Sequence, residues 1–176
     1  MKLFKLATTM GLALMIPFIA KAQSNSDNLV KEWQRAKAYT QEYLEAMPAD
    51  QYDFKATPEV RSFAQQMLHL TEANYGFAAA ATGTPSPIQG GEIEGTGDTS
   101  KEHVTKLVLE GYDFVIEKLK GLSGDALEAP VKLFDRFEMS TAQAIQKAFE
   151  HQTHHRGQTT IYLRLAGVTP PQEKLF

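Results

Sequence analysis

STAQAIQKAFEHQTHHRGQTTIYLRLAG, residues 140–167, is the stretch on which the fold turns. It opens on Ser140 with Gln143 three residues later, the reciprocal pattern of a capping box. It closes on Gly167, with Pro170-Pro171 just beyond, the residues that stop a helix. Between them lies no Pro, so one long helix is predicted over 140–166. Ala148, His151, His155, Thr159, Tyr162 and Ala166 recur at three- and four-residue steps and define its inward face.

Working back along the chain, Thr99-Ser100-Lys101-Glu102 reads as another capping box, opening a third helix that ends at Gly121. Val104, Leu107, Val108, Phe114 or Val115, and Leu119 face its core. Residues 122–139 are mixed, with 133–137 fitting a short extended piece. A second helix is expected over 57–81. Thr57 would be its N-cap and Pro58 its first helical residue, and Val60, Phe63, Ala64, Met67, Leu70 or Thr71, Asn74 and Ala78 would form its buried stripe. A first helix is expected over 28–47, with Leu29, Trp33, Ala36, Tyr39 or Thr40, Tyr43 and Met47 inward and Pro48 ending it. Four helices with apolar stripes predict an all-α four-helix bundle.

The break at 82–98 carries five Gly and two Pro in seventeen residues, long for a connection inside a compact domain. Two explanations fit. A second helix of about 24 residues is roughly 36 Å long. Seventeen extended residues at roughly 3.3 Å each can travel back along it, which makes helices two and three parallel. Alternatively the segment is a lid over a site.

At the N-terminus, Lys2 and Lys5 precede an almost wholly apolar run from Leu6 to Ala20, and Ala20-Lys21-Ala22 sets small residues where a signal peptidase cuts. The run is about 15 residues, short of the roughly 20 needed to span a membrane. Residues 1–22 are therefore expected to be a signal peptide and 23–176 the mature domain, periplasmic or secreted and not inserted in a membrane after cleavage. Cleavage removes three lysines and no acid, so the net charge of −3 becomes −6. An acidic chain without a basic cluster is a poor partner for nucleic acid. Cys is absent, which excludes disulfides, a thiol nucleophile and Cys-ligated metal.

Any metal site must then use His, carboxylates and water. His151 and His155, four apart, sit about 40° from each other on one helical face and roughly 6 Å apart along the axis, within reach of one ion. His69 lies near the middle of the second helix, as that pair lies near the middle of the fourth. Central positions meet at one level whether helices run parallel or antiparallel. Ala73 and Gly76, at +4 and +7 from His69, leave room beside it. Three neutral imidazoles suit a divalent transition metal, zinc or nickel foremost, and three protein ligands leave one position open.

Two segments carry a family resemblance. Arg61-Ser62 through Met67-Leu68-His69 resembles the RS…HL segment in the second helix of DinB/YfiT-like proteins. His151-Gln152-Thr153-His154-His155-Arg156-Gly157-Gln158, continuing to Gly167, resembles that family's H…HHRGQ…L…G signature. The resemblance covers nearly the whole mature chain. It implies an up-down-down-up bundle with His69, His151 and His155 binding a divalent metal. Characterised members include thiol transferases and isomerases that use small cytosolic thiols, which an exported chain is less suited to meet.

Other residues are weaker candidates. His154 is either a fourth ligand, an acid/base, or turned toward a neighbouring helix. Glu72 and Glu150 can orient a ligand's second nitrogen or act as a base, against a solvated-face reading. Gln158 can support His155. Arg156 is expected to make a structural ion pair and His103 to be an ordinary surface residue. Tyr112 and Tyr162 line either the pocket or the core. Three functions compete: a metal-dependent hydrolase or transferase acting on a small molecule, a non-catalytic metal- or ligand-binding bundle, and a structural bundle with incidental histidines. A homodimer is among the assemblies the sequence leaves open.

Overall fold

The computed structural model describes residues 16–176, with side chains from Ser26 onward. Helix α1 spans Ile16–Ala46, α2 Phe63–Thr82, α3 Lys101–Leu119, α4 Gly124–Glu128 and α5 Thr141–Leu165. A hairpin of β1 (Pro130–Leu133) and β2 (Phe137–Ser140) leads into α5. The expected signal peptide lies mostly outside the described residues; its last part, from Ile16, is drawn as the start of α1. That helix thus begins twelve residues before the expected Asn28 and stops at Ala46, two residues short of Pro48.

Contacts fix the direction of each long helix. Lys37 meets Asp113, and Lys101 Nζ donates to the Glu45 and Met47 carbonyls, so α1 and α3 are antiparallel. Thr71 lies against Gly111, and Tyr75 against Phe114 with ring centroids 5.0 Å apart, so α2 and α3 run the same way. Gln66 bonds Gln158 while Phe77 packs on His151, so α2 and α5 are antiparallel. Trp33 packs on Phe149, and Tyr43 bonds Thr160, so α1 and α5 are parallel. The glycine-rich segment after α2 therefore does return along the bundle.

The core is built from the expected faces. Trp33, Met47, Phe63, Met67, Leu70, Val104, Val108, Leu119 and Ala148 are all at least 98% buried. A polar seam runs through it. Tyr112 Oη donates to Gln152 Oε1 (2.8 Å) and pairs with Thr40 Oγ1 (2.8 Å), and Arg156 Nη1 donates to the same Gln152 oxygen (2.8 Å). Arg156 is 6% exposed and stacks its guanidinium 4.6 Å from the Tyr39 ring centroid. The ion pair expected for it is not formed among the described residues. Hydrogen bonds and the aromatic face hold the charge instead.

Helix α2 starts five residues later than expected. Ser62, not Thr57, is the N-cap, and Ser62 and Gln65 form both arms of a capping box. The first helical N–H groups find acceptors in the preceding connector: Phe63 N donates to Phe54 O (3.0 Å) and Ala64 N to Tyr52 O (2.8 Å). Those bonds fix the start, because unpaired N–H groups at a helix end need partners. Residues 57–60 are left as a turn, and Val60 is 36% exposed rather than in the stripe. In α3 the cap is Ser100, whose Oγ accepts from His103 N (3.4 Å), one residue later than Thr99. The Ser140/Gln143 box of α5 is present as read. The extended piece expected over 133–137 is a hairpin turn: Leu133 and Phe137 pair, and Phe134 and Asp135 take left-handed φ of 52° and 55°.

Candidate metal centre

Helix α2 presents His69 and helix α5 presents His151 and His155 to one point. Ring centroids lie 5.2 Å apart for His69–His151, 4.5 Å for His69–His155 and 4.4 Å for His151–His155. One nitrogen from each ring falls within 4.8 Å of the others.

Two rings are oriented by acceptors. His155 Nδ1 lies 2.8 Å from Gln66 Oε1, and His69 Nδ1 lies 2.6 Å from Glu94 Oε1. An amide or carboxylate oxygen here only accepts, so Nδ1 carries a proton in both rings, and Nε2 is the nitrogen that offers a lone pair when the ring is neutral. The partner of Gln66 continues outward: its Nε2 donates to Gln158 Oε1 (2.8 Å), and Gln158 Nε2 donates to His154 Nε2 (2.7 Å). Gln158 thus supports His155 at one remove. His151 Nδ1 is buried without a hydrogen-bond partner among the described residues.

The electrostatics keep the lone pairs free. Burial, then the neighbouring His69, His154 and Arg61, push His151 down to about 4. Burial, then His151, His69, His154 and Arg61, push His155 down to about 3. Both are neutral near pH 7, the state that ligates metal. Three converging imidazoles, two with Nδ1 held by an acceptor and one with an orphaned buried nitrogen, fit a divalent transition metal.

The weaker candidates go elsewhere. Glu72 accepts from the backbone N–H of Gly91, of Ile93 (3.1 Å) and of Glu94 (2.9 Å), so it grips the crossover and not an imidazole. His154 is exposed and tied to Gln158, outside the three-histidine group. Glu150 is solvent-facing and pairs with Lys147. His103 sits near Thr96 and Asp98 in the first turn of α3. Tyr112 and Tyr162 are core residues, the latter donating to Arg61 O (2.6 Å).

Sequence reasoning missed Gln66 and Glu94. Gln66 had a signal, since it precedes His69 by three and so shares its face. Glu94 lies in a glycine-rich loop with no periodicity to place it. Its second oxygen faces Arg61 Nη2 at 3.5 Å.

Beside His69 opens a cleft of about 310 Å³, walled by Ala73, Gly76 and Phe77 of α2, Ile88 of the crossover and Phe134 of the hairpin. Phe77 also packs on His151, with ring centroids 5.6 Å apart.

An up-down-down-up helical bundle presenting three histidines from two antiparallel helices defines a class of potential metal-centre proteins. This chain belongs to the DinB family, whose family model matches residues 21–175. A protein of Bacillus subtilis (strain 168), YjoA, is 24% identical over 147 residues, covering 82% of this chain and 92% of YjoA. The crystal structure of a DinB-like protein from Bacillus cereus ATCC 10987 is similar with a TM-score of 0.72 at 20% identity, over 84% of this chain and 97% of that one. The crystal structure of YjoA gives 0.64 at 21% identity, over 85% and 96%. At these identities the likeness to the solved structures establishes the fold.

Proposed function

We propose that this chain is an exported DinB-family protein that binds one divalent transition metal ion, zinc or nickel, through His69, His151 and His155, and hydrolyses or transfers a group on a small molecule there. The observation that carries the metal reading is the tautomer bias. Glu94 and Gln66 hold the Nδ1–H of His69 and His155, leaving their other nitrogens free to converge with His151. A bound ion supplies Lewis acidity toward a substrate oxygen or sulfur, or toward water. The chain's own residues hold the ligand rings and, through Phe77 and the crossover, shield one side of the centre from solvent.

A non-catalytic metal- or ligand-binding role has its own support. Glu72 and His154, the two side chains best suited by type to move a proton, are committed to the crossover and to Gln158. Elemental analysis of the purified mature protein tests the metal reading. About one ion per chain is expected, with sharp loss in His69→Ala, His151→Ala and His155→Ala and retention in His154→Ala and His103→Ala. Equal metal content in wild type and His69→Ala would sink the three-histidine centre. Turnover on a panel of esters, amides and thiol–electrophile pairs separates enzyme from binder. Export rests on Lys2/Lys5, the apolar run and Ala20-Lys21-Ala22. N-terminal sequencing is expected to start at Gln23, and recovery only of an intact Met1 form from the cytoplasm would defeat it. Cleavage there leaves the packing from Ser26, whose Oγ donates to Leu119 O (2.6 Å), in place.

A further inference from the structure

We propose that the cleft beside His69 seats a flat, neutral apolar group of the small-molecule ligand, whose donor head reaches the three-histidine centre. This rests on the metal reading above and adds the ligand's chemical class to it. Three observations carry it. The cleft is continuous with the centre, since His69 lines it and its wall residue Phe77 packs on His151. Its volume of about 310 Å³ exceeds the roughly 150 Å³ of a dry cavity that holds benzene, so a ring with a short tether fits. Its lining is mostly apolar, and its two carboxylates are already engaged, Glu72 by three backbone N–H groups and Glu94 by His69 and Arg61. No unpaired charge in the wall asks for a charged ligand.

Phe134 gives the inference its direction. It sits at φ 52° in the hairpin turn, a left-handed position where Gly, Asn or Asp is the comfortable choice and a bulky side chain is strained. Phe134 is 52% exposed, packs on Phe77 with 4.9 Å between ring centroids, and lines the cleft. Turn geometry disfavours Phe at this position, and its aromatic partner Phe77 is itself a wall of the cleft, so the ring adds apolar surface to the seat. Gly76 completes the space: a Cβ there would stand 3.7 Å from Phe134 Cε1, and a longer side chain would fill the cleft.

The test uses zinc-loaded full mature protein and two probes with the same metal-binding head, acetohydroxamate and benzohydroxamate. Benzohydroxamate is expected to bind about tenfold or more tightly, the gain from burying a ring. The ratio is expected to fall to near one in Gly76→Leu, which fills the cleft, and in Phe134→Asn, which relieves the turn while removing the ring. Zinc content of each variant reports that the centre is intact. A ratio near one in the wild type, or an unchanged ratio in both variants, overturns the proposal. Failure of the metal reading shows separately as absence of zinc. In that event benzyl alcohol, followed by NMR on the metal-free protein, reports the cleft directly. Perturbation of Phe77 and Phe134 resonances that is lost in Gly76→Leu supports an apolar seat, and no perturbation overturns it.

Discussion

Glu94 is the residue whose replacement separates a built metal centre from a chance cluster of histidines. Its carboxylate holds the His69 Nδ1–H at 2.6 Å, while its other oxygen opposes Arg61 at 3.5 Å. Partners of this kind typically change metal affinity 10- to 100-fold when removed, roughly 1.4–2.7 kcal/mol. The Glu94 side chain is 36% exposed, so solvent screens the charge part. Glu94→Gln keeps an acceptor and loses only the charge, and is expected near the lower bound, about tenfold. Glu94→Ala loses both and leaves the Arg61 cation unopposed beside the site, and is expected near about a hundredfold. Glu72→Ala is expected to act through the same bond, because Glu72 holds the N–H of Gly91, Ile93 and Glu94. The two losses then overlap, and the Glu72→Ala/Glu94→Ala double variant is clearly sub-additive. Competition against a chromogenic zinc chelator at neutral pH reads the wild type and all four variants. Wild-type affinity in Glu94→Ala, or strict additivity in the double variant, would refute the reasoning.

Three further outcomes are expected. A metal ion at a hundredfold excess over its Kd stabilises the folded chain by about 2.7 kcal/mol, raising Tm by roughly 5–11 °C in a scan with and without chelator; an unmoved Tm argues against folded-state binding. In metal-free protein, His151 and His155 titrate at about 4 and about 3 when folded but near 6.5 when unfolded, so the unfolded chain binds more protons in between. Stability is thus full above about pH 6.5 and falls as pH drops toward those folded values; urea midpoints at about pH 7 and about pH 5 should differ more in wild type than in a His151→Phe/His155→Phe variant. Gly76→Ala is expected to raise stability by about 0.5–1 kcal/mol, since its Cβ meets Phe134 at an ordinary 3.7 Å. Gly111→Ala is expected to lower it by about 1–3 kcal/mol, since its Cβ would stand 2.8 Å from Thr71 Cγ2 where α2 and α3 meet; denaturant titration ranks the pair, and the opposite order would contradict the helix contact.

Elements with local instructions were legible in the sequence. The α5 capping box, the α1 and α3 apolar faces and the parallel course of α2 and α3 all follow from spacing or from chain length. The start of α2 was not, because two start signals compete there. Thr57-Pro58-Glu59 is a good local one, and Ser62 with Gln65 prevails only because Phe54 and Tyr52 bring carbonyls to the first free N–H groups. Arg156 was misread for a related reason. A charged residue suggests a carboxylate partner, but its neighbours in space are Gln152, Thr40 and the Tyr39 ring, supplied by its own helix and by α1. At the candidate site, the histidines are set by helical period and motif, whereas Glu94 reaches His69 from 25 positions away along an aperiodic loop.

The crossover reading of that loop holds, and the returning chain also contributes a side chain to the histidine cluster. Parallel α2 and α3 force the chain back along the bundle, and the return path passes the middle of α2, where His69 lies. Glu72, one turn further along α2, seizes three consecutive-region N–H groups of the passing chain. The glycines make that grip sterically possible. Gly91 takes φ 84°, and Gly95 donates its N–H to Gly91 O at 2.9 Å, where a Cβ would lie 2.6 Å from that same oxygen. The tight turn across 91–95 fixes Glu94 with its carboxylate toward His69. Glycine content that reads as looseness in the sequence is therefore what lets the crossover fold tightly enough to orient a candidate ligand.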